Sequence, residues 1–185
     1  MSLLEKASKL KLGLEPLLVV VMGVSGTGKS TLASEFARRY QFTFLDADSL
    51  HSDRAIRQMS QGIPLTDEQR SPWIQRIYAR LSESHSQNKN CILAYSGLKQ
   101  AHRKVVFSSY RTRAGVLLNA DQDLIMERLA KRSAHFMSPQ LLNSQIAEME
   151  LFDSKEPLLQ LNSDESLEIL LKQLESFVSA INTKT

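Results

Sequence analysis

The residues best suited to chemistry form the glycine-rich loop Gly23-Val24-Ser25-Gly26-Thr27-Gly28-Lys29-Ser30, which satisfies the pattern G-x-x-x-x-G-K-[ST]. Glycines let the backbone turn tightly and aim its N–H groups at phosphate oxygens, and a following helix presents its positive end to the same anion. We expect all eight residues and Thr31 to bind a nucleotide, with Lys29 reaching the β- and γ-phosphates and also acting in catalysis. The Ser30 hydroxyl is predicted to bind Mg²⁺. A glycine-rich turn without nucleotide is the alternative, and the hydrophobic run before the loop argues against it.

Two acidic residues, Asp46 and Asp48, follow the second hydrophobic run of the chain. In an open α/β sheet the ends of the strands face the ligand crevice, so both carboxylates are predicted to lie there. A pair of helix-capping residues is the alternative, because Asp is common at N-caps. The chain lacks the NKxD segment of regulatory GTPases, and its third run ends Ala94-Tyr95-Ser96 without the acid of a motor ATPase. This pattern favours a small-molecule kinase.

Two pairs of basic residues are spaced by four positions, which places both members on one helix face. Arg132 is predicted to be catalytic and Arg128 to bind nucleotide, because phosphoryl transfer needs positive charge around the moving group. Lys99 follows the third apolar run and Arg103 lies one helical turn further on, so both could hold the same carboxylate. A solvated helix face is the alternative for each pair.

Short apolar runs alternate with longer amphipathic stretches. Near-continuous apolar runs are typical of strands covered on both faces, and alternation with helices predicts a parallel sheet. The predicted strands are Leu17–Met22, Phe42–Leu45, Cys91–Tyr95, Gly115–Leu118 and Leu158–Leu161, and the predicted helices are Ser30–Tyr40, Thr66–Ser86, Asp121–Arg132 and a last helix from about Asp164. The fold class is therefore α/β: a P-loop kinase domain with a five-stranded parallel sheet, helices on both faces and a small lid.

The composition narrows the function further. The chain has 185 residues, of which 42% are hydrophobic and 23% charged, enough for one domain with a core. Its single cysteine, Cys91, excludes an internal disulfide. No apolar run approaches the roughly 18 residues of a membrane span, and the first residues lack the apolar region of a signal peptide. The net charge of +3 comes without a dense basic run, so nucleic acid is not expected as a partner.

The longest set of motifs resembles one known family. The segments are Asp46-Ala47-Asp48-Ser49-Leu50-His51, then Met59, Gly62, Pro64-Leu65, Asp67, Arg70 and Pro72-Trp73, then Ser96-Gly97-Leu98-Lys99, Arg128, Arg132, His135-Phe136 and Ser144-Gln145. Together with the glycine-rich loop they resemble the gluconate kinases over about residues 17 to 181. The resemblance implies ATP and Mg²⁺ as cofactors and gluconate as the acceptor.

The resemblance also implies roles for individual residues. Asp46 would hold Mg²⁺ through water or help to activate the acceptor hydroxyl, and Asp48 would bind the acceptor's hydroxyl groups. The remaining residues implied to bind the sugar acid are His51, Arg70, Lys99, Arg103 and His135.

The chain departs from the family pattern at several positions near the expected acceptor. Ala47 replaces the glycine of DGD, Ala55 and Gln58 replace an Asn and a Lys, and Lys104 and Phe107 stand where the family has an acid and an arginine. These departures leave open a kinase for another small polyol acid, shikimate-like or a different aldonate. A catalytically weak nucleotide-binding regulatory protein is the other alternative. Retention of Lys29, Ser30, Asp46 and Arg132 argues against it.

Our interpretation is a single kinase domain over residues 17–185, preceded by a leader over residues 1–16 and carrying a lid at about residues 132–140. We expect transfer of the γ-phosphoryl group of ATP to gluconate. The expected setting is cytoplasmic, with no membrane partner, and a homodimer remains open.

Overall fold

A five-stranded parallel sheet forms the centre of the computed structural model, which describes Leu10 and residues 12–131, 140–152 and 157–182. The strands are β1 (Leu17–Met22), β2 (Thr43–Asp46), β3 (Cys91–Ala94), β4 (Thr112–Asn119) and β5 (Leu158–Asn162), in the order β2-β3-β1-β4-β5. β1 is central, and its Val20 pairs with Leu93 of β3 and Gly115 of β4. The predicted sheet is thus confirmed.

The helices run between the strands and cover both faces of the sheet. They are α1 (Lys29–Tyr40), α2 (Asp53–Ser60), α3 (Asp67–Ser86), α4 (Gln100–Phe107), α5 (Gln122–Ala130), α6 (Gln140–Glu148) and α7 (Leu167–Asn182), and a 3-10 turn spans Ala47–Leu50. Thr66 caps α3: its hydroxyl accepts from the Gln69 backbone N–H, and the Gln69 side chain accepts from the Thr66 N–H. The two side chains thus form a capping box at the start of α3.

Alternate side chains of β1 enter two separate cores because successive residues of a strand point to opposite faces. Leu17, Val19 and Val21 pack with apolar residues of α1 and α7. Leu18, Val20 and Met22 pack with apolar residues of α3 and α4. All six residues of β1 are completely buried, so the loop that follows this strand begins from the most protected part of the sheet.

Several boundaries and elements differ from the sequence expectations. β4 begins three residues earlier than predicted, because the half-buried Thr112 and Arg113 extend a strand whose apolar part starts later. No bounds were predicted for the helices α2, α4 and α6 or for the 3-10 turn. Leu10, in the segment interpreted as a leader, is buried against the α1–α7 core. Residues 132–139, which include most of the expected lid, lie outside the described residues. Among those described, no helix is both long and apolar enough to span a membrane.

Candidate active site

The glycine-rich loop connects β1 to α1 and has the close contacts that require glycine. A Cβ atom at Gly23, whose φ is +141°, would lie 2.5 Å from the Leu118 carbonyl oxygen of β4. A Cβ atom at Gly26, whose φ is +88°, would lie 2.9 Å from Cγ2 of Ile125 in α5. The loop is therefore held between β4 and α5, and larger residues at these two positions would displace it.

Inside the loop, the Lys29 ammonium donates to the Val24 carbonyl oxygen at 2.8 Å. The Thr27 hydroxyl donates to the same carbonyl at 3.0 Å. The lysine thus lies across the loop that its own helix follows, where a phosphate oxygen could take over its hydrogen bond. This arrangement agrees with the predicted role of Lys29 as a phosphate ligand.

The loop is joined to the end of β2 by one hydrogen bond, from Ser30 Oγ to Asp46 Oδ2 at 2.8 Å. The other carboxylate oxygen of Asp46 accepts from the Asp48 backbone N–H at 3.0 Å and caps the 3-10 turn. The Asp46 side chain therefore caps the 3-10 turn, as the alternative expected, and it also contacts the glycine-rich loop, as its predicted role requires. The Ser30 hydroxyl and the free lone pairs of Asp46 are hard oxygen donors of the kind that Mg²⁺ prefers, so the residues fit this ion.

A central pocket opens beside the loop, on the side of Ser25 and Lys29. The 3-10 turn and the residues around α2 and α3 form one wall, the loop after β3 forms the base, and α6 forms the cover. Its lining residues are Ser25, Lys29, Asp48, His51, Met59, Pro64, Leu65, Arg70, Trp73, Ser96, Leu98, Leu141, Ser144 and Gln145. The pocket therefore combines Lys29, the predicted phosphate ligand, with four other polar residues that the sequence analysis assigned to the site.

His51 stacks on the indole of Trp73, with ring centroids 4.1 Å apart and planes 17° from parallel. The Trp73 Nε1–H donates to the Ala47 carbonyl at 2.6 Å, which fixes the indole against the 3-10 turn. Burial, together with the positive charges of Arg76 and Arg70, lowers the pKa of His51 from 6.5 to about 4. The imidazole is thus neutral near pH 7 and can both donate and accept hydrogen bonds.

Arg70 of α3 lies at the wall of the central pocket and contacts two carboxylates. One guanidinium nitrogen lies 2.6 Å from Glu148 Oε2 of α6, and another lies 3.3 Å from Asp67 Oδ1. Its side chain is only 12% exposed. The resemblance placed Arg70 among the acceptor-binding residues, and the structure puts its charged end at the pocket, held by α6.

The carboxylate clamp expected from Lys99 and Arg103 is not assembled, and neither residue lines the central pocket. The Arg103 guanidinium donates to the backbone carbonyls of Gly97, Leu98 and Leu151 at 2.6 to 3.0 Å, and lies 4.2 Å from the centroid of the Phe152 ring. Lys99 lies 3.7 Å from a Glu150 carboxylate oxygen. A spacing of four put the two cations on one helix, but three backbone carbonyls hold the Arg103 guanidinium away from the central pocket, so the structure does not bring Arg103 to the expected acceptor.

Arg128 lines a second depression, the outer groove, which shares no lining residue with the central pocket. The groove is lined by Gly26, Thr27, Gly28, Thr31, Leu32, Leu118, Arg128, Lys131, Ser163, Glu165, Leu167 and Leu170. The Arg128 guanidinium donates to Ser163 Oγ and to the Ser163 carbonyl, both at 2.8 Å. Arg128 is thus beside the loop, as expected of a nucleotide ligand, whereas Arg132 and His135 lie outside the described residues.

Sequence reasoning assigned no role to α6, although this helix covers the central pocket. Leu141 packs with Met59 and Leu65, and Leu142 packs with Val24 and Leu98. Gln145 Oε1 accepts the backbone N–H of Ser25 at 2.7 Å. The one available signal was the Ser144-Gln145 pair, which belonged to the family motif without a stated function.

The sheet order, the loop after β1 and the acidic end of β2 define the chain as a P-loop kinase. The AAA domain family model matches residues 18–152, so the chain belongs to that family. It is 34% identical to a gluconokinase of Gluconobacter oxydans, covering 89% of this chain and 92% of that one. It is 38% identical to the thermoresistant gluconokinase of Escherichia coli, over 69% and 73% of the two chains.

Solved structures give the same grouping. A sugar kinase from Janibacter sp. HTCC2649 superposes with a TM-score of 0.83 at 32% identity, covering 90% of this chain and 98% of that one. A gluconokinase from Sinorhizobium meliloti superposes with a TM-score of 0.80 at 28% identity, covering 94% and 97%. The chain belongs to the gluconokinase family.

Proposed function

We propose that this protein transfers the γ-phosphoryl group of ATP to a hydroxyl group of gluconate, forming 6-phosphogluconate. The observation that supports this most directly is the central pocket, in which the phosphate-binding Lys29 and the polar residues Asp48, His51 and Arg70 line one space. A kinase needs its acceptor beside the terminal phosphate, and this pocket provides such a place. The membership in the gluconokinase family supports gluconate as the acceptor.

Each polar wall residue suits one part of a sugar acid. Asp48 can accept hydrogen bonds from acceptor hydroxyl groups, and the neutral imidazole of His51 can donate to or accept from another. Arg70 is the described cation of the wall and can pair with the carboxylate of the acceptor. Trp73 lies beneath His51 and keeps its ring in place for this contact.

We propose that Ser30 and Asp46 hold Mg²⁺. When bound, this ion neutralises negative charge on the phosphates. Lys29 exchanges its contact with the Val24 carbonyl for a phosphoryl oxygen, and the backbone N–H groups of the loop donate hydrogen bonds to the other phosphate oxygens. Asp48 lines the central pocket and Asp46 lies two residues before it, so a carboxylate at this end of β2 can receive the proton of the attacking hydroxyl.

The test is a coupled assay of ADP release with gluconate, other aldonates, shikimate and glucose as acceptors. We expect the highest kcat/KM with gluconate. A higher kcat/KM with another polyol acid would reassign the acceptor, whereas nucleotide binding without any turnover would indicate the regulatory alternative. The variant Lys29→Ala should abolish turnover while its circular dichroism spectrum stays that of the unaltered protein. The matched control is Lys172→Ala, on the exposed side of α7, which should not change the rate.

A further inference from the structure

Helix α6 contacts the glycine-rich loop through one polar side chain. Gln145 Oε1 accepts the Ser25 backbone N–H at 2.7 Å, across 120 positions of sequence. The helix is fixed at this place because Leu141 and Leu142 are buried against the residues on either side of the pocket. A neutral carboxamide oxygen therefore lies on a backbone donor of a loop whose N–H groups serve to bind phosphate.

The position of Ser25 shows which phosphate that donor would meet. Gly26, Thr27, Gly28 and Thr31 line the outer groove, whereas Ser25 and Lys29 line the central pocket. A phosphoryl group that moves from nucleotide to acceptor has to pass between these two spaces. The Ser25 N–H thus lies on the side where the γ-phosphoryl group would be transferred. Gln145 Oε1 accepts from this N–H, which the γ-phosphoryl group would otherwise use.

We infer that Gln145 is a positioning residue that distinguishes the nucleoside triphosphate from the diphosphate. Without the γ-phosphoryl group its oxygen accepts from Ser25. When the γ-phosphoryl group arrives, a phosphoryl oxygen takes the Ser25 N–H, and the carboxamide turns about its last torsion so that Nε2–H donates to the phosphoryl group. A carboxamide suits this exchange because it carries an acceptor and two donors on a torsion with broad minima.

The same helix connects this exchange with the acceptor wall. Glu148 lies three residues after Gln145, and its carboxylate holds Arg70 at 2.6 Å. Ser144 Oγ donates to the second carboxylate oxygen of Glu148 at 3.1 Å. Gln145 therefore lies one helical turn from the carboxylate that holds Arg70, the cation proposed to bind the acceptor.

The test compares Gln145→Glu with the unaltered protein in binding a non-hydrolysable ATP analogue and ADP, each with Mg²⁺. The inference rests on the proposed use of ATP, but the measurement contains no acceptor, so an error in the choice of gluconate would not affect it. A Glu oxygen can still accept from Ser25, yet it repels a γ-phosphoryl group and cannot donate to it. We expect the affinity for the triphosphate analogue to fall about tenfold or more relative to that for ADP.

The matched control is Ala147→Glu, which adds the same charge to an exposed position of α6 and should keep the triphosphate-to-diphosphate ratio of the unaltered protein. An unchanged ratio in Gln145→Glu would overturn the inference, because a purely structural contact would affect both nucleotides alike. If the variant does not fold, a measurement on the unaltered protein tests the same inference. The ¹⁵N resonance of the Gln145 carboxamide should shift with the triphosphate analogue and not with ADP, and equal shifts with both would also overturn it.

Discussion

The hydroxyl of Ser30 donates to Asp46 Oδ2 at 2.8 Å, which joins the first turn of α1 to the end of β2. The two proposed Mg²⁺ ligands thus come from a helix and from the strand beside it, and this hydrogen bond brings them together. The second carboxylate oxygen of Asp46 caps the 3-10 turn that carries Asp48. One side chain thus positions both the metal ligands and the acceptor wall.

The substitution Asp46→Asn tests the structural and the proposed catalytic role of this side chain separately. The amide oxygen can still cap the 3-10 turn, so we expect the unfolding free energy to change by less than about 1 kcal/mol. The lost negative charge should lower kcat by about a hundredfold or more, because the charge complements Mg²⁺ and the acceptor proton. Steady-state rates and urea unfolding measure the two effects, and Asp123→Asn, at an exposed position of α5, is the control. A kcat close to that of the unaltered protein would remove Asp46 from the proposed mechanism.

Arg103→Met should affect stability rather than acceptor choice. The change leaves the carbonyls of Gly97, Leu98 and Leu151 without a buried donor and removes the contact with Phe152. We expect the free energy of unfolding to fall by about 2–4 kcal/mol while KM for gluconate stays near its original value. The control is Lys104→Met, which removes the exposed neighbouring cation. Intact stability with a greatly raised KM would instead support the carboxylate clamp that the sequence suggested.

We expect the buried imidazole of His51 to make the protein less stable in acid. Its pKa is about 4 in the native state against an ordinary 6.5, with burial as the largest cause. Between pH 6.5 and 4 the unfolded chain binds a proton at His51 that the native protein does not bind. The contribution of His51 to the free energy of unfolding is therefore fully present above pH 6.5 and is lost as the pH falls towards 4. The loss from this group should reach about 2–3 kcal/mol. Unfolding free energies measured from pH 7 to 4 should fall less steeply in His51→Gln, and parallel curves would refute the assignment.

Cys91 provides a probe of sheet opening. It is the only cysteine of the chain, it is completely buried in β3, and burial raises the pKa of its thiol to about 12. At pH 8 only about one thiol in ten thousand is ionised in the native state, so a thiol reagent should react very slowly. The reaction should become fast in denaturant, and a saturating ATP analogue should slow it further by stabilising the native state. Rapid labelling of the native protein would contradict the packing of β3.

The parts of the molecule that sequence reasoning predicted correctly depend on local signals. Continuous apolar runs marked β1 and β3, and the glycine pattern marked the loop, because burial on both faces and tight turns leave their own residue types. The contacts of Arg103 could not be predicted because its three carbonyl partners come together only when residues 97–98 and 151 meet. Gln145 was missed as a functional candidate because a neutral amide within a helix has no characteristic spacing, and its partner lies 120 residues away.

Because of the strand order, the glycine-rich loop and the acidic end of β2 should differ in how easily they unfold locally. The glycine-rich loop extends from β1, which is buried throughout and paired on both sides. Asp46 instead ends β2, which pairs with β3 alone among the described strands and whose Phe44 is 37% exposed. Partial unfolding events in proteins begin where few buried contacts must be broken. Detachment of β2 would remove Asp46 and the 3-10 turn while leaving the loop on its strand. At low denaturant concentration the ensemble should therefore contain molecules that retain phosphate affinity but have lost the capacity for transfer.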